Sequence, residues 1–542
     1  MFVKNPAFTA IAVISIAFGT GANVAIFSAA DALLLRPLPV PRPTELMTVG
    51  FKVRLAGLAT RSMTSYADYV DIRERSQSFD SLLAFTSRTA GFNMRPGAPP
   101  QVKMTTLVSG NFFRALGIVP LLGRDFRPDE DQVPGRDAVT VLSYGMWKQE
   151  FAGDPSVLGQ KIRIASIDVT VIGVAPESFT GIEPRLIKEA AFVPLAMWPR
   201  FPTSADVNPL TDRGYWALTV KGRLRPGVTL QNAQAEMRAI GSDLARAYPA
   251  TNKDANLTVE TEIQMRYERN MLEAVTLIML TILSAAVLCV ACANVAGLLS
   301  SRAPARAREI ALRQAIGAGR GRIVRQLLTE SLGIAVAGAI GGIAVGYAGV
   351  VLLRGYEYPT DVIAVPVMQL DQRAMVFSLV LAIASAFLFG LVPALQTTRG
   401  DLVGALKSSD TAAPRRLRLT GRNALVALQV ALSLVLLTVT AFVLQMFRGE
   451  LTEGPGFRTT QMVKLNVDPS QARYDETRAA RYFEQVIQST RQLPGVRIAG
   501  LTSAMPFFGS PAYPSIIPEG YPLAEGQTGL ATWLSIVDEG YF

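Results

Sequence analysis

The sequence predicts a membrane protein, an α-helical transmembrane bundle of five spans with an α+β domain outside the cytoplasm. Three observations carry this. Charged residues make up only 18% of the 542 and apolar residues 49%, whereas a soluble protein carries about 25% charged. Five stretches run without a charge for longer than the roughly 20 residues a helix needs to cross a bilayer. They are Asn5–Ala30, Ala274–Ser301, Ser331–Leu353, Ala374–Thr398 and Asn423–Phe447. Finally, two short loops hold nearly all of the net charge of +10.

The first stretch is too long for the roughly 7–15-residue apolar core of a signal peptide, so it is a retained helix. Between Arg302 and Glu330 seven arginines face two glutamates, and between Arg399 and Arg422 six basic residues face two aspartates. The positive-inside rule puts both loops in the cytoplasm. Five crossings then leave the N-terminus inside, and residues 36–273 and the C-terminal segment outside. Basic residues that flank membrane helices orient them. A nucleic-acid binder would gather them on one folded surface, so no nucleic acid is expected as a partner.

Arg36-Pro-Leu-Pro-Val-Pro-Arg-Pro43 predicts an extended, semi-rigid connector at a solvated boundary. Beyond it the patterns alternate between helix and strand. Tyr66–Ser76 reads as helix and Leu82–Ser87 as strand. Lys161–Ile164 and Val169–Val174 form a hairpin around Ala165-Ser-Ile-Asp168, and Leu230–Tyr248 is an amphipathic helix. The result is an α+β domain, in two lobes.

Catalysis finds little support. The chain has no histidine, which removes Ser-His-Asp and Cys-His arrangements and histidine metal sites. Two cysteines, Cys289 and Cys292, are too few for a disulfide framework or a four-thiolate zinc site. On a membrane helix they read as small packing residues. Asp129-Glu130-Asp131 lacks the calcium-loop pattern and reads as a solvated acidic turn. Ser62, Ser65 and Ser143 have no nucleophile-elbow context. No Gly-x-x-x-x-Gly-Lys-Ser/Thr is present, so the chain carries no phosphate-cradling loop. No metal, cofactor or catalytic residue is assigned to it.

Two segments echo each other. Lys4-Asn-Pro-Ala-Phe-Thr-Ala-Ile enters the first span much as Gly421-Arg-Asn-Ala-Leu-Val-Ala-Leu enters the fifth. Val537-Asp-Glu-Gly-Tyr-Phe542 likewise repeats Val108-Ser-Gly-Asn-Phe-Phe113. Such a period predicts an internal duplication. The chain is then expected to be a fragment that stops inside a second outer domain.

The most informative stretch runs from Arg308 to Ser331. On a helix Glu309 precedes Arg313 by four residues, the favourable order for an ion pair. Ile310, Ala311 and Ala315 leave a small apolar surface, and Gly317-Ala318-Gly319 ends the turn. A helix lying in the membrane surface would look similar. Gly338, Gly342 and Gly346 follow at four-residue spacing in the third span, which lets two helices approach closely and predicts a packing seam.

Arg308-Glu-Ile-Ala-Leu-Arg-Gln-Ala-Ile-Gly-Ala318, followed by Gln326-Leu-Leu-Thr-Glu-Ser331, closely resembles the cytoplasmic loop of the FtsX/MacB-type ABC transporter permeases. Pro393–Asp401 with Gly404–Lys407 resembles the family's segment after the fourth helix, with Leu402 where a proline is usual. Val108–Val174 is similar to the MacB periplasmic core domain. The duplicated layout looks like the large permeases found notably in Acidobacteria, which have eight helices and two periplasmic domains.

The resemblance implies a domain order. A first transmembrane helix (1–35) precedes a MacB-like core domain (36–271). An FtsX-like permease domain (272–410), a fifth helix (411–447) and an incomplete second core domain (448–542) follow. It also implies that Glu309, Ile310, Ala311, Arg313, Ala315, Gly317 and Ala318 couple to an ABC ATPase subunit, which would bind the ATP-Mg.

The expected function is a non-catalytic permease of the bacterial inner membrane. The resemblance implies that it transmits ATP-driven motion to its outer domains (mechanotransmission) for export, and that substrate need not cross through its membrane helices. A periplasmic adaptor or outer-membrane channel is a further partner the resemblance implies. The alternative is an ATP-driven regulatory or signalling protein controlling an extracytoplasmic enzyme or sensor. A membrane-anchored enzyme with its active site in residues 36–273 is a third reading.

Overall fold

A computed structural model describes residues 6–54, 60–94, 100–183, 188–201, 207–253, 255–269, 271–301, 319–354, 419–453, 461–469, 474–503, 515–521, 530–531 and 534–541. Position 316 and scattered positions between 375 and 387 are also described. The chain divides into two compact units, a helical one within residues 1–36 and 273–453 and a second one of residues 37–272 together with 454–542.

The helical unit begins with α1 (Pro6–Ala30), with proline in the first turn, where its missing N–H costs nothing. A π-helical turn, Asp31–Leu35, continues it, and Arg36 N–H bonds to Asp31 O at 2.7 Å. The second apolar helix is Met271–Ser301, the third Arg320–Arg354, and a further one spans Leu419–Glu453. Among the described residues three helices are long and apolar enough to cross a membrane, over Thr9–Ser28, Ala274–Val295 and Gly321–Leu352. Leu419–Glu453 holds a shorter apolar stretch, Gln429–Phe442. The predicted span Ala374–Thr398 lies largely outside the described residues. The third helix starts eleven residues before the predicted Ser331. The helical backbone begins at Arg320 and takes in Arg322 and Arg325, both exposed, whose long side chains allow a charged head to stay in water at a helix end.

The other unit is built on one eleven-stranded sheet. Its strands are β1 (Leu46–Arg54), β2 (Thr60–Met63), β3 (Phe79–Asn93), β4 (Gln101–Val108), β5 (Leu122–Gly123) and β6 (Val139–Leu142). They continue as β7 (Lys161–Ile164), β8 (Ile167–Val174), β9 (Glu189–Pro194), β10 (Thr219–Leu224) and β11 (Leu257–Thr261). The order is β11-β1-β10-β3-β4-β9-β6-β8-β5, with β2 on β1 and β7 bridging β3 and β8. Among the described residues only β4–β9 and β6–β8 are parallel. The helices are α2 (Tyr66–Arg75), α3 (Phe112–Leu116), α4 (Tyr144–Phe151), α5 (Leu230–Ala247), α6 (Pro249–Asn252) and α7 (Glu262–Arg269). The domain is α+β, as its sequence pattern predicts.

The predicted helix at Tyr66 and the amphipathic helix at Leu230 form within a residue of their expected ends. Ser65 and Thr229 cap them, accepting from Asp68 N–H and Asn232 N–H. In α5, Ala233, Met237, Ile240 and Leu244 are buried, one face of a 3.6-residue repeat. The hairpin turns more tightly than expected. Ala165 and Ser166 both take positive φ (47° and 62°), so Ile167 already belongs to β8. A two-residue turn of this hand matches the twist of its strands. β3 is far longer than Leu82–Ser87, because its polar centre, Thr86–Thr89, is laddered to Thr105–Leu107 of β4 and neighbouring residues.

Two cores form on the sheet. One gathers Val49, Phe51, Val220 and the buried faces of α2 and α5. The other is aromatic, with Phe85, Phe112, Phe113, Phe126, Phe179 and Phe192 around Phe112 and Phe113 edge-to-face at 5.2 Å between centroids. The proline-rich connector is not a solvated boundary. Leu38 and Val40 are buried in this second core, while Pro37, Pro39 and Pro41 point out. An extended chain alternates its side chains, so every second residue of the connector packs.

In the C-terminal segment a helix, Glu476–Arg491, is capped by Asp475, and none of its residues is buried. Asp538 N–H bonds to Leu501 O, and Tyr541 N–H to Asp538 O. In the first domain, Ser109 N–H bonds to Ala84 O and Phe112 N–H to Ser109 O.

Candidate functional site

Glu309, Ile310, Ala311, Arg313, Ala315, Gly317 and Ala318 lie outside the described residues. The three seam glycines are described, and they face α1. A Cβ at Gly338 would lie 2.5 Å from Ile16 Cγ2, one at Gly342 2.6 Å from Thr20 Cβ, and one at Gly346 2.7 Å from Val24 Cγ1. α1 answers with Gly21, where a Cβ would meet Val345 Cγ1 at 2.8 Å. Its Gly19 lies against Leu288 and Ala291 of the second helix. Polar contacts lock that second pairing. Asn23 Nδ2 donates to Ser284 O at 2.8 Å, and Ser284 Oγ donates to Asn23 Oδ1 at 2.9 Å. Gln429 bonds to Asn294, tying the last apolar helix to the second. In a bilayer interior such amide and hydroxyl pairs satisfy groups that lipid cannot. Cys289 is a free, exposed thiol rather than part of a packed seam.

Several polar residues have purely structural roles. Ser65 and Ser143 are helix caps, and Ser62 donates to Glu260 at 2.8 Å. The Asp129–Asp131 turn is not simply solvated. Glu130 is buried and takes both Nη atoms of Arg124 (2.8 and 2.6 Å). Asp131 accepts from Gly110 N–H at 2.7 Å and Ala196 N–H at 2.8 Å, joining α3's entry to β9's exit. Burial pushes the Asp131 carboxyl up to about 6, against the pull of those two N–H groups. Among the described residues no group of three or more His, Cys, Asp or Glu is placed to hold a metal.

What sequence reading missed is a cluster of buried charge where the sheet receives the chain from, and returns it to, the apolar helices. β10 carries Lys221, fully buried, and Arg223, almost so. Arg223 donates to Pro41 O (2.9 Å) and Arg42 O (3.1 Å) in the connector after α1, and meets Glu45 at 3.2 Å. Lys221 pairs with Glu262, the first residue of α7, and sits 3.4 Å from Thr48 Oγ1. Arg266 Nε donates to the same Glu262 at 2.9 Å. Lys52 bridges Glu260 (2.5 Å) and Glu268 (2.8 Å), and Arg269 pairs with Glu183. Burial alone would raise the Glu262 carboxyl. The attraction of Lys221 and Arg266 outweighs it and holds the group below the usual range. The one available signal was Lys221 in Thr-Val-Lys-Gly-Arg-Leu224, a charge within a strand whose neighbours are apolar.

Residues 9–240 match the family described as MacB-like periplasmic core domain, and residues 281–402 the FtsX-like permease C-terminal. The chain is 28% identical over 341 residues to the macrolide export ATP-binding/permease protein MacB of Burkholderia pseudomallei (strain 1710b), covering 60% of this chain and 46% of that protein. It is 26% identical over 312 residues to the pyoverdine export ATP-binding/permease protein PvdT of Pseudomonas syringae pv. tomato, covering 57% and 43%. The chain thus spans a little under half the length of these curated relatives. The crystal structure of the periplasmic region of MacB from Actinobacillus actinomycetemcomitans aligns over 43% of this chain and 94% of that one. Its identity is 13% and its TM-score 0.30.

Proposed function

The chain belongs to the FtsX/MacB-type ABC transporter permeases, and from that premise we propose that it couples ATP hydrolysis on a separate ATPase subunit to movement of its periplasmic domain. It sits in the bacterial inner membrane with its N-terminus in the cytoplasm, and the work it does is export. Glu309, Ile310, Ala311, Arg313, Ala315, Gly317 and Ala318 receive the push of the ATPase. The membrane helices, seamed by Gly338, Gly342 and Gly346, carry it outward. ATP-Mg is held by the partner, and a periplasmic adaptor or outer-membrane channel completes the route. The chain repeats its layout, with a second periplasmic domain beginning after residue 447. The matching hydrogen bonds at Ser109 and Asp538 support that duplication.

One observation carries the reading. The core domain is inserted between two membrane helices, and both of its connections are bonded to the sheet by buried charge. A domain joined by slack linkers would dissipate a displacement of the helices. One joined through such bonds follows it. Coupling of this kind requires an element with two states that both partners bias.

The test uses the protein in lipid with its ATPase. Co-purification and ATP hydrolysis are measured for wild type, Glu309→Lys and Arg313→Glu. Loss of binding and of rate modulation in both variants is expected. Unchanged binding and rate would leave the loop as a basic membrane anchor and sink the coupling role. Coupling that acts on a bound periplasmic hydrolase or sensor kinase, with no exported molecule, would favour a regulatory function over export.

A further inference from the structure

Lys221 and Arg223 stand two residues apart on β10, so their side chains leave the same face of the sheet. On that face they hold the two ends of the domain's attachment. Arg223 grips the segment arriving from α1 through two backbone carbonyls and Glu45. Lys221 grips Glu262, at the start of the short helix that leads to the second membrane helix at Met271. The strand that carries both is internal, bonded to β1 on one side and to β3 on the other.

β3 extends the connection. It pairs with β10 from Phe79 to Phe85, and with β7 at Phe92 and Asn93. One continuous backbone ladder therefore runs from the two attachment points into the half of the sheet that holds β7 and β8. The chemistry of the grip matters. Apolar contacts are non-directional and allow neighbours to slide. A buried ion pair resists separation, because pulling it apart leaves a charge without a partner away from water.

We propose that β10 is the mechanical junction of this permease, with Lys221 and Arg223 as the positioning residues that make both connections move as one body with the sheet. The inference rests on the mechanotransmission reading above and specifies where the motion enters the domain. A displacement of the first or second helix is delivered to β10 and passed along β3. It is not absorbed in the proline-rich connector or in α7.

Spin labels test this on the full chain in lipid nanodiscs with its ABC ATPase. Residues 36–273 contain no cysteine, so replacing Cys289 and Cys292 by serine clears the background. One label goes on Glu74 of α2 and one on Ala348 of the third helix, both exposed. The distance distribution is recorded without nucleotide and with ATP plus vanadate. A nucleotide-dependent shift is expected in the wild type. In Arg223→Gln, and separately in Lys221→Met/Glu262→Met, the shift should vanish while ATPase co-purification and a cooperative tryptophan-detected unfolding transition persist. The double variant removes both partners of the pair, so it guards against simple misfolding of the other. A shift of wild-type size in a folded variant of either kind overturns the junction and leaves mechanotransmission standing. A wild type that binds its ATPase but shows no shift overturns both.

Discussion

Lys221→Met removes a fully buried cation of the core domain and leaves Glu262 with Arg266 at 2.9 Å. Breaking a buried pair from one side costs roughly 3–5 kcal/mol, because the other charge stays behind. The remaining arginine places this variant at the lower end, about 3 kcal/mol. Glu262→Met is worse. It strands Lys221 with only Thr48 Oγ1 at 3.4 Å and also takes a carboxylate from Arg266. About 5 kcal/mol is expected there. Combining the two substitutions removes both ends of the pair, and methionine fills similar space. Only the loss at Arg266 then remains, so the double variant should cost about 3 kcal/mol or less, well short of the sum of the singles. Urea unfolding of the full chain in nanodiscs, followed by tryptophan fluorescence, measures all three. Trp147, Trp198 and Trp216 lie in this domain and Trp198 is fully buried, so the signal reports its core. Additive costs would refute the pair as the stabilising contact. So would a Glu262 variant milder than the Lys221 variant.

Other outcomes follow from the same geometry. Asp131 has its carboxyl pushed up to about 6 from 3.8 by burial. The folded state therefore binds its proton more tightly than the unfolded chain, so that contribution is complete below pH 4 and is lost as pH rises through 6. At 1.36 kcal/mol per pH unit this amounts to about 3 kcal/mol. Asp131→Asn should flatten the stability profile between pH 4 and 6, and an unchanged profile would contradict the assignment. Glu262 has the opposite sign. Its carboxyl is held low, so its contribution is present above the ordinary glutamate range and lost as pH falls through the folded value. Gly342→Val forces a side chain against Thr20 and Gly21 of α1, whereas Gly349 has nothing within 4 Å. The first substitution should cost about 1–3 kcal/mol in thermal unfolding of the detergent-solubilised chain. Gly349→Val should be nearly silent, and equal effects would deny the seam its partner.

Much of the architecture was legible because it follows from local rules. An uncharged run of more than 20 residues needs no partner to declare itself a membrane helix, since lipid is its partner. The helical patterns at Tyr66–Ser76 and Leu230–Tyr248 announce α2 and α5 because a 3.6-residue apolar repeat is a property of neighbouring residues. The glycine spacing at 338, 342 and 346 likewise shows a smooth helix face. It does not show which helix lies on it, and α1 lies more than 300 residues away in sequence.

The junction was not legible for the same reason. Arg223 reaches the connector across 182 residues and Lys221 reaches Glu262 across 41, and nothing near either residue advertises the partner. The acidic turn at Asp129–Asp131 misled in the same way, because Asp131 takes its second N–H from Ala196, 65 residues on. From its sequence alone this chain is determined to be a permease-like membrane protein, through composition, helix length, charge placement and the residues of the loop from Arg308 to Ser331. Only the tertiary structure decided that the connector packs and that β10 holds both connections. Burial and ion pairing depend on which distant residues fold against each other, and no local pattern encodes that.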